Sequence, residues 1–198
     1  VDDGSPDSSG TICDEYAAKD LRFKVIHRVN GGVSQARQTG LDAATGEYVI
    51  HVDPDDWIEP NMLEDLLGKA IADDADMVIC DFFWDKAGNS KVIKQTPSAL
   101  DSDSFLCDLY NGRHGSLCNK LTRRSLFEMY DIKFPKDFNF CEDLIVNTLL
   151  LKNKIKIAYV GSAYYHYVQY VNDNSIARKY DEKMHEKDLE LKDFLCAA

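Results

Sequence analysis

The chain has 198 residues, 44% hydrophobic and 29% charged, which suits one soluble-type domain with a proper core. Its net charge of −11 excludes a general nucleic-acid binder, which needs a basic surface. No run approaches the roughly 20 apolar residues of a transmembrane helix. The six cysteines contain no Cys-x-x-Cys pair and so offer no simple zinc site. With no secretion-signal pattern at the start, reduced thiols in a cytoplasm are the expected setting.

The chain opens on Val1-Asp2-Asp3-Gly4-Ser5. Val1 reads as the last residue of a strand, with at least one strand and one helix expected upstream. Gly4 allows a sharp turn. Asp2 and Asp3 suit either capping or ligand binding. A helix is expected over Thr11 to Lys19, with Ile12 and Tyr16 facing inward, and a short strand over Phe23 to His27. Asn30-Gly31-Gly32-Val33-Ser34 then feeds a helix that Ser34 can cap and Gly46 ends. A Gly-rich loop at a helix start is a candidate anion site. Arg37, in the first turn, is placed against the helix dipole and so hints at an anionic partner.

Glu47 to Val52 has the β-branched and aromatic character of a buried strand. It runs into Asp53-Pro54-Asp55-Asp56-Trp57, an acidic cluster at a strand end, where open α/β sheets hold ligands. Such carboxylates repel one another unless solvated or bridged, and a hard divalent cation is the natural bridge. A solvated acidic turn is the alternative. An EF-hand is excluded, because Ile58 stands where the loop needs glycine.

A helix from about Pro60 to Ala72 and a strand over Met77 to Cys80 complete a strand–helix alternation that predicts a mostly parallel, Rossmann-like sheet with helices on both faces. Phe82 to Ile93 reads as a hairpin, and a short helix follows Asp101. Gly112 to Ser116 reads as a mobile loop. Lys120, Arg123 and Arg124 form a basic cluster, either a charged turn or a phosphate or acceptor contact. Glu142 and Asp143 open a helix, as structural acids or as a general base at a cleft rim. Ile155 to Val160 reads as a strand. In the aromatic run that follows, His166 is either a satisfied half-buried histidine or a ligand to metal or phosphate. A charged helical tail is expected over 179–198.

These motifs recur together, in this order, in one family. The sequence resembles the family 2 glycosyltransferases of the A-type fold, the bacterial kind that build surface polysaccharides. The matching residues are Val1 to Ser5, Asn30 to Ser34 with Ala36-Arg37, Gly46 to Tyr48, Asp53 to Trp57, Asn119 to Leu121, Glu142-Asp143 and the Tyr164-to-Ser175 segment. The likeness spans 1–178. It implies a nucleotide-binding half over 1–81 and an acceptor and catalytic half over 82–178, in a fold lacking its first strand and helix. Departures from the family pattern are Pro54 and Gln38, where Ser and Asn are commoner.

What the resemblance implies is metal-dependent, inverting transfer of a sugar from a nucleoside-diphosphate donor to a saccharide or lipid-linked acceptor. Asp2, Asp3, Arg37 and Asp53 would face the nucleotide. Asp55, with Asp53 and more weakly His166, would hold Mn²⁺ or Mg²⁺. Asp143, with Glu142, would supply the base. A cytoplasmic location follows, with room for peripheral association at the inner face of the membrane and for a homodimer. With the first strand and helix missing, this chain is expected to bind donor weakly or not at all. Two alternatives stand beside this: a catalytically silent nucleotide-sugar or partner-binding domain of the same fold, and a nucleotidyltransferase.

Overall fold

A computed structural model describes residues 1–136 and 141–169. The chain forms two compact units, residues 1–45 with 133–142 and residues 46–132 with 143–198. The proposed tail helix lies outside the described residues, as does the end of the Tyr164-to-Ser175 segment.

The first unit holds α1 (Ser9–Lys19) and α2 (Val33–Ala43). The expected strand over Phe23 to His27 is reduced to an isolated parallel bridge between Asp2 and His27. The inward face expected of α1 is also absent among the described residues: none of its residues is buried, and Ile12 and Tyr16 are about half exposed. At α2 the N-cap is Gly32 and not Ser34. Gly32 sits at φ 88, a left-handed conformation that side chains resist. Gly4 meets the same requirement at φ 74, and a Cβ there would lie 2.9 Å from the Asn30 nitrogen.

The second unit is built on one sheet. Its elements are β1 (Tyr48–Val49), β2 (Trp57–Ile58), α3 (Met62–Asp73), β3 (Met77–Lys86), β4 (Asn89–Ile93), α4 (Ser102–Tyr110), β5 (Lys120–Arg123), α5 (Ser125–Met129), α6 (Glu142–Leu151, whose first residue falls in the first unit) and β6 (Ile157–Gln169). The strand order is β1-β5-β3-β6-β2, with β4 paired to β3. The α/β class holds, but the ladders are mixed. Only β3 and β6 run parallel; the β3–β4, β3–β5, β1–β5 and β2–β6 pairs are antiparallel. The reason is connectivity. β3 turns directly back into β4 as a hairpin, whereas a parallel neighbour requires a long crossover, which here includes α6. The strand foreseen over Glu47 to Val52 survives only as a two-residue pairing with β5.

The apolar residues of α3 divide between core and surface. Met62, Leu66 and Ala70 are fully buried, while Leu63, Leu67 and Ile71 are largely exposed. The buried three are spaced by four residues and form one ridge. They pack with Val78, Cys80 and Phe82 of β3, Leu121 of β5 and Tyr164 and Tyr165 of β6. Asp101 caps α4, accepting from the Ser104 N–H at 2.8 Å.

Candidate active site

The acidic loop between β1 and β2 is shaped by one hydroxyl. Tyr165 Oη accepts from the Asp53 N–H at 3.2 Å and donates to Asp56 Oδ2 at 2.5 Å. The Val168 N–H donates to Asp56 Oδ1 at 2.8 Å, and the Asp56 N–H donates to the Asp53 carbonyl at 3.1 Å. Asp56 is therefore the anchor of the loop on β6. Burial raises its carboxyl above the ordinary value, against the two hydrogen bonds that lower it and with the help of Asp55 and Asp53. Asp53 is half-buried, with the Cys118 thiol donating to its Oδ2 at 3.5 Å. Burial pushes that thiol up to about 12 and keeps it neutral. Asp55 is left pointing to solvent.

His166 is not part of this arrangement. It is buried, with Asp85 Oδ2 2.7 Å from Nδ1 and Glu59 Oε1 3.2 Å from Nε2. Its ring is stacked between Trp57, at 3.4 Å, and Phe83, at 4.2 Å, its register partners on the two neighbouring strands. Both nitrogens face carboxylates, so a metal at either one would have to displace Asp85 or Glu59.

At the start of α6 the two acids behave differently. Glu142 is nearly buried and accepts from Arg37 Nη1 at 2.6 Å, an ion pair with each side chain 10% exposed. Arg37 thus has a protein carboxylate as its anion. Asp143 is half-buried, and its Oδ2 accepts from the Leu117 N–H at 3.3 Å.

Asp2 and Asp3 are likewise engaged. The Asp3 carboxylate takes the Gly31 N–H at 3.1 Å and the Gly32 N–H at 2.7 Å, with Arg28 at 3.3 Å. The Gly-rich loop does bind an anion, and that anion is Asp3. Asp2 accepts from the Ser5 N–H at 3.0 Å and meets His27 Nδ1 at 2.8 Å. Hydrogen bonds from Ser5 and then His27 hold its carboxyl down at about 2.

The basic cluster resolves into structure. Arg123 bridges Asp74, Asp76 and Glu47 and lies over the Tyr48 ring, and Arg124 Nε donates to the Gly46 carbonyl. The polar lining that the sequence reading passed over comes from Cys118, Tyr165 and His114. These three border a small cleft together with Phe82, Ser116, Asn119 and Tyr167. His114 is pushed down to about 4 by burial and by Lys120, and so is neutral. A tyrosine or cysteine inside an apolar run carries no sequence signal of such a role.

Among the described residues no group of three His, Cys, Asp or Glu side chains is gathered around a metal-sized space. A complete protein cage is therefore not what this loop provides. It presents one exposed carboxylate, Asp55, beside a half-buried one, Asp53. That donor set fits Mg²⁺ or Mn²⁺ held by one or two carboxylates together with substrate phosphates and water.

The model of the glycosyl transferase family 2 matches residues 1–130. The chain belongs to the family 2 glycosyltransferases. EpsH of Bacillus subtilis, provisionally named a glycosyltransferase, is 35% identical over 198 residues, covering 96% of this chain and 57% of EpsH. The cholesterol galactosyltransferase of Borreliella burgdorferi is 34% identical over 83% of this chain and 49% of its own length. A crystal structure of residues 1–349 of Staphylococcus aureus TarS, in complex with UDP-GlcNAc, superposes with a TM-score of 0.76 at 26% identity, over 94% of this chain and 53% of that one. Residues 1–349 come from a poly(ribitol-phosphate) β-N-acetylglucosaminyltransferase. The chain spans about half the length of these relatives. No helix among the described residues is long and apolar enough to cross a membrane.

Proposed function

We propose that this domain carries out metal-dependent, inverting transfer of a sugar from a nucleoside-diphosphate donor to an acceptor hydroxyl in cell-surface polysaccharide synthesis. The observation that carries the reading is the division of labour among its carboxylates within a glycosyltransferase family. Asp53 and Asp56 are held by Cys118, Tyr165 and Val168, and Asp55 is left exposed. The relative TarS, seen with UDP-GlcNAc, supports the donor class.

Asp55 would be the carboxylate on Mn²⁺ or Mg²⁺, with Asp53 nearer the nucleotide. When bound, the cation supplies Lewis-acid stabilisation of the negative charge that develops on the departing diphosphate. Asp143 would accept the proton of the acceptor hydroxyl as its oxygen attacks the anomeric carbon. Attack from the face opposite the leaving group gives inversion. Residues 1–81 would serve the nucleotide, with Asp2 and Asp3 holding the loop around Gly31, and residues 82–178 the acceptor. A cytoplasmic face of the membrane suits a donor of this class and a lipid-linked acceptor.

The test is calorimetric titration of the full chain with UDP, with and without Mn²⁺. Wild type should bind UDP about tenfold or more tighter with Mn²⁺, a gain of at least about 1.4 kcal/mol, and Asp55→Asn should lose that gain. Equal Mn²⁺ dependence in both proteins would remove Asp55 from the metal site.

A further inference from the structure

The loop expected to be mobile, Gly112 to Ser116, is clasped from several sides. Lys120, on β5, is 1% exposed and spends all three ammonium protons there and beside it. Nζ donates to the His114 carbonyl at 3.0 Å, the Ser116 carbonyl at 2.6 Å and Asn119 Oδ1 at 2.9 Å. The His114 N–H donates to Gln95 Oε1 at 2.9 Å. From α6, Asn147 Nδ2 donates to the Gly115 carbonyl at 2.7 Å, and the Asp143 carboxylate accepts the Leu117 N–H. The loop is thus shared between a buried cation on one side and the Asp143 carboxylate on the other.

Three neutral acceptors satisfy the hydrogen bonds of an ammonium but do not neutralise it. A buried cation carries a desolvation cost that a neutral donor would avoid. Its surroundings are apolar on one side, with the Phe105 ring centroid 5.9 Å from Nζ. Burial lowers the Lys120 ammonium to about 8, and Asp143 is the largest influence acting to raise it. Three other ionisable groups near it, Cys80, Cys118 and His114, are neutral. Cys80 and Cys118 are pushed up to about 12 by burial, and His114 is pushed down to about 4. Asp143 is therefore the charged partner that this cation addresses.

We propose that Lys120 is a positioning residue for Asp143: through the clasped loop it fixes the carboxylate, and through its buried charge it keeps that carboxylate ionised as the acceptor hydroxyl docks. This rests on Asp143 being the base. The positive charge is useful at the step where water leaves, because desolvation alone would push a carboxylate toward its protonated, inactive form. Proton flow is unchanged. The acceptor proton goes to Asp143, the new bond forms from the acceptor oxygen to the anomeric carbon, and the old C–O electron pair leaves with the diphosphate.

The experiment measures release of nucleoside diphosphate from UDP-sugars by the full chain, from about pH 5 to 9, for wild type, Lys120→Met, Lys120→Arg and Asn147→Ala. Lys120→Met should lower kcat about ten- to hundredfold at neutral pH and move the acid limb of the profile up by about one unit, with donor KM changed less than about twofold. Lys120→Arg should bring the acid limb back toward wild type. Asn147→Ala loosens the clasp but keeps the charge, so its acid limb should stay in place. An unmoved acid limb in Lys120→Met, or the same shift in Asn147→Ala, would overturn the proposal.

A second arm needs no Lys120 variant and no turnover. The Lys120 side chain is titrated by NMR in wild type and in Asp143→Asn. Because the coupling is reciprocal, Lys120 should titrate about one unit lower when the Asp143 charge is gone. An unchanged titration would overturn the proposal even if Lys120→Met failed to fold. Wild type that turned over no donor, while the NMR coupling was present, would count against the proposed function and leave the Lys120–Asp143 pairing standing.

Discussion

Two acidic stretches that look alike in sequence, Asp2-Asp3 and Asp53 to Asp56, are put to opposite uses. In the first, both carboxylates close on the protein itself: Asp3 on the Gly31 and Gly32 amides and Arg28, Asp2 on Ser5 and His27. In the second, Tyr165, Val168 and Cys118 take Asp56 and Asp53, and Asp55 is left to solvent. The number of carboxylates in a motif therefore does not give the number available for a ligand. What decides is whether neighbouring N–H and O–H donors reach them first.

The closed class extends to Glu142, and the largest expected effect on stability comes from opening it. Arg37→Met should cost about 3–5 kcal/mol, because it removes the cation paired at 2.6 Å with a buried carboxylate. Thermal or urea unfolding checks this. A loss of UDP affinity with stability unchanged would instead return Arg37 to the nucleotide.

A smaller effect separates Asp2 from Asp56 by the sign of their pH dependence. Asp2 is depressed from 3.8 to about 2, so its contribution is present above the ordinary carboxylate value and is lost as pH falls toward 2. Asp56 is raised by burial, so its contribution runs the other way: it is present at low pH and lost as pH rises through the folded value. Stability should therefore fall relative to Asp2→Asn on acidification and rise relative to Asp56→Asn. Parallel trends in the two comparisons would break the distinction.

Much of this was legible in the chain. The helices α1 to α4, the hairpin after Asp81, the helix starting at Glu142 and the family itself follow from periodicity and from motifs in sequence, whereas the short strands β2 and β5 do not. The sheet's direction did not, since strand–helix alternation before Asp81 says nothing of β5 returning antiparallel beside β3. Nor did the fate of individual side chains. For His166 the sequence left open a satisfied half-buried histidine or a ligand; its ring is held between Trp57 and Phe83, with a carboxylate at each nitrogen, a cluster assembled from three strands far apart in sequence. Lys120 read as part of a charged turn or a phosphate or acceptor contact; it is buried instead, its ammonium taken up by the His114 and Ser116 carbonyls and Asn119 and lying by the Phe105 ring of α4, an enclosure that local composition does not encode.

The central claim is that Asp143 is the base while its neighbour Glu142 is structural. Turnover of UDP-sugars by full-chain Asp143→Asn, measured as nucleoside diphosphate released, tests it most directly. The account predicts a fall of about a thousandfold, within the range general-base catalysis supplies, with UDP binding in Mn²⁺ unchanged. Wild-type turnover in Asp143→Asn would contradict it.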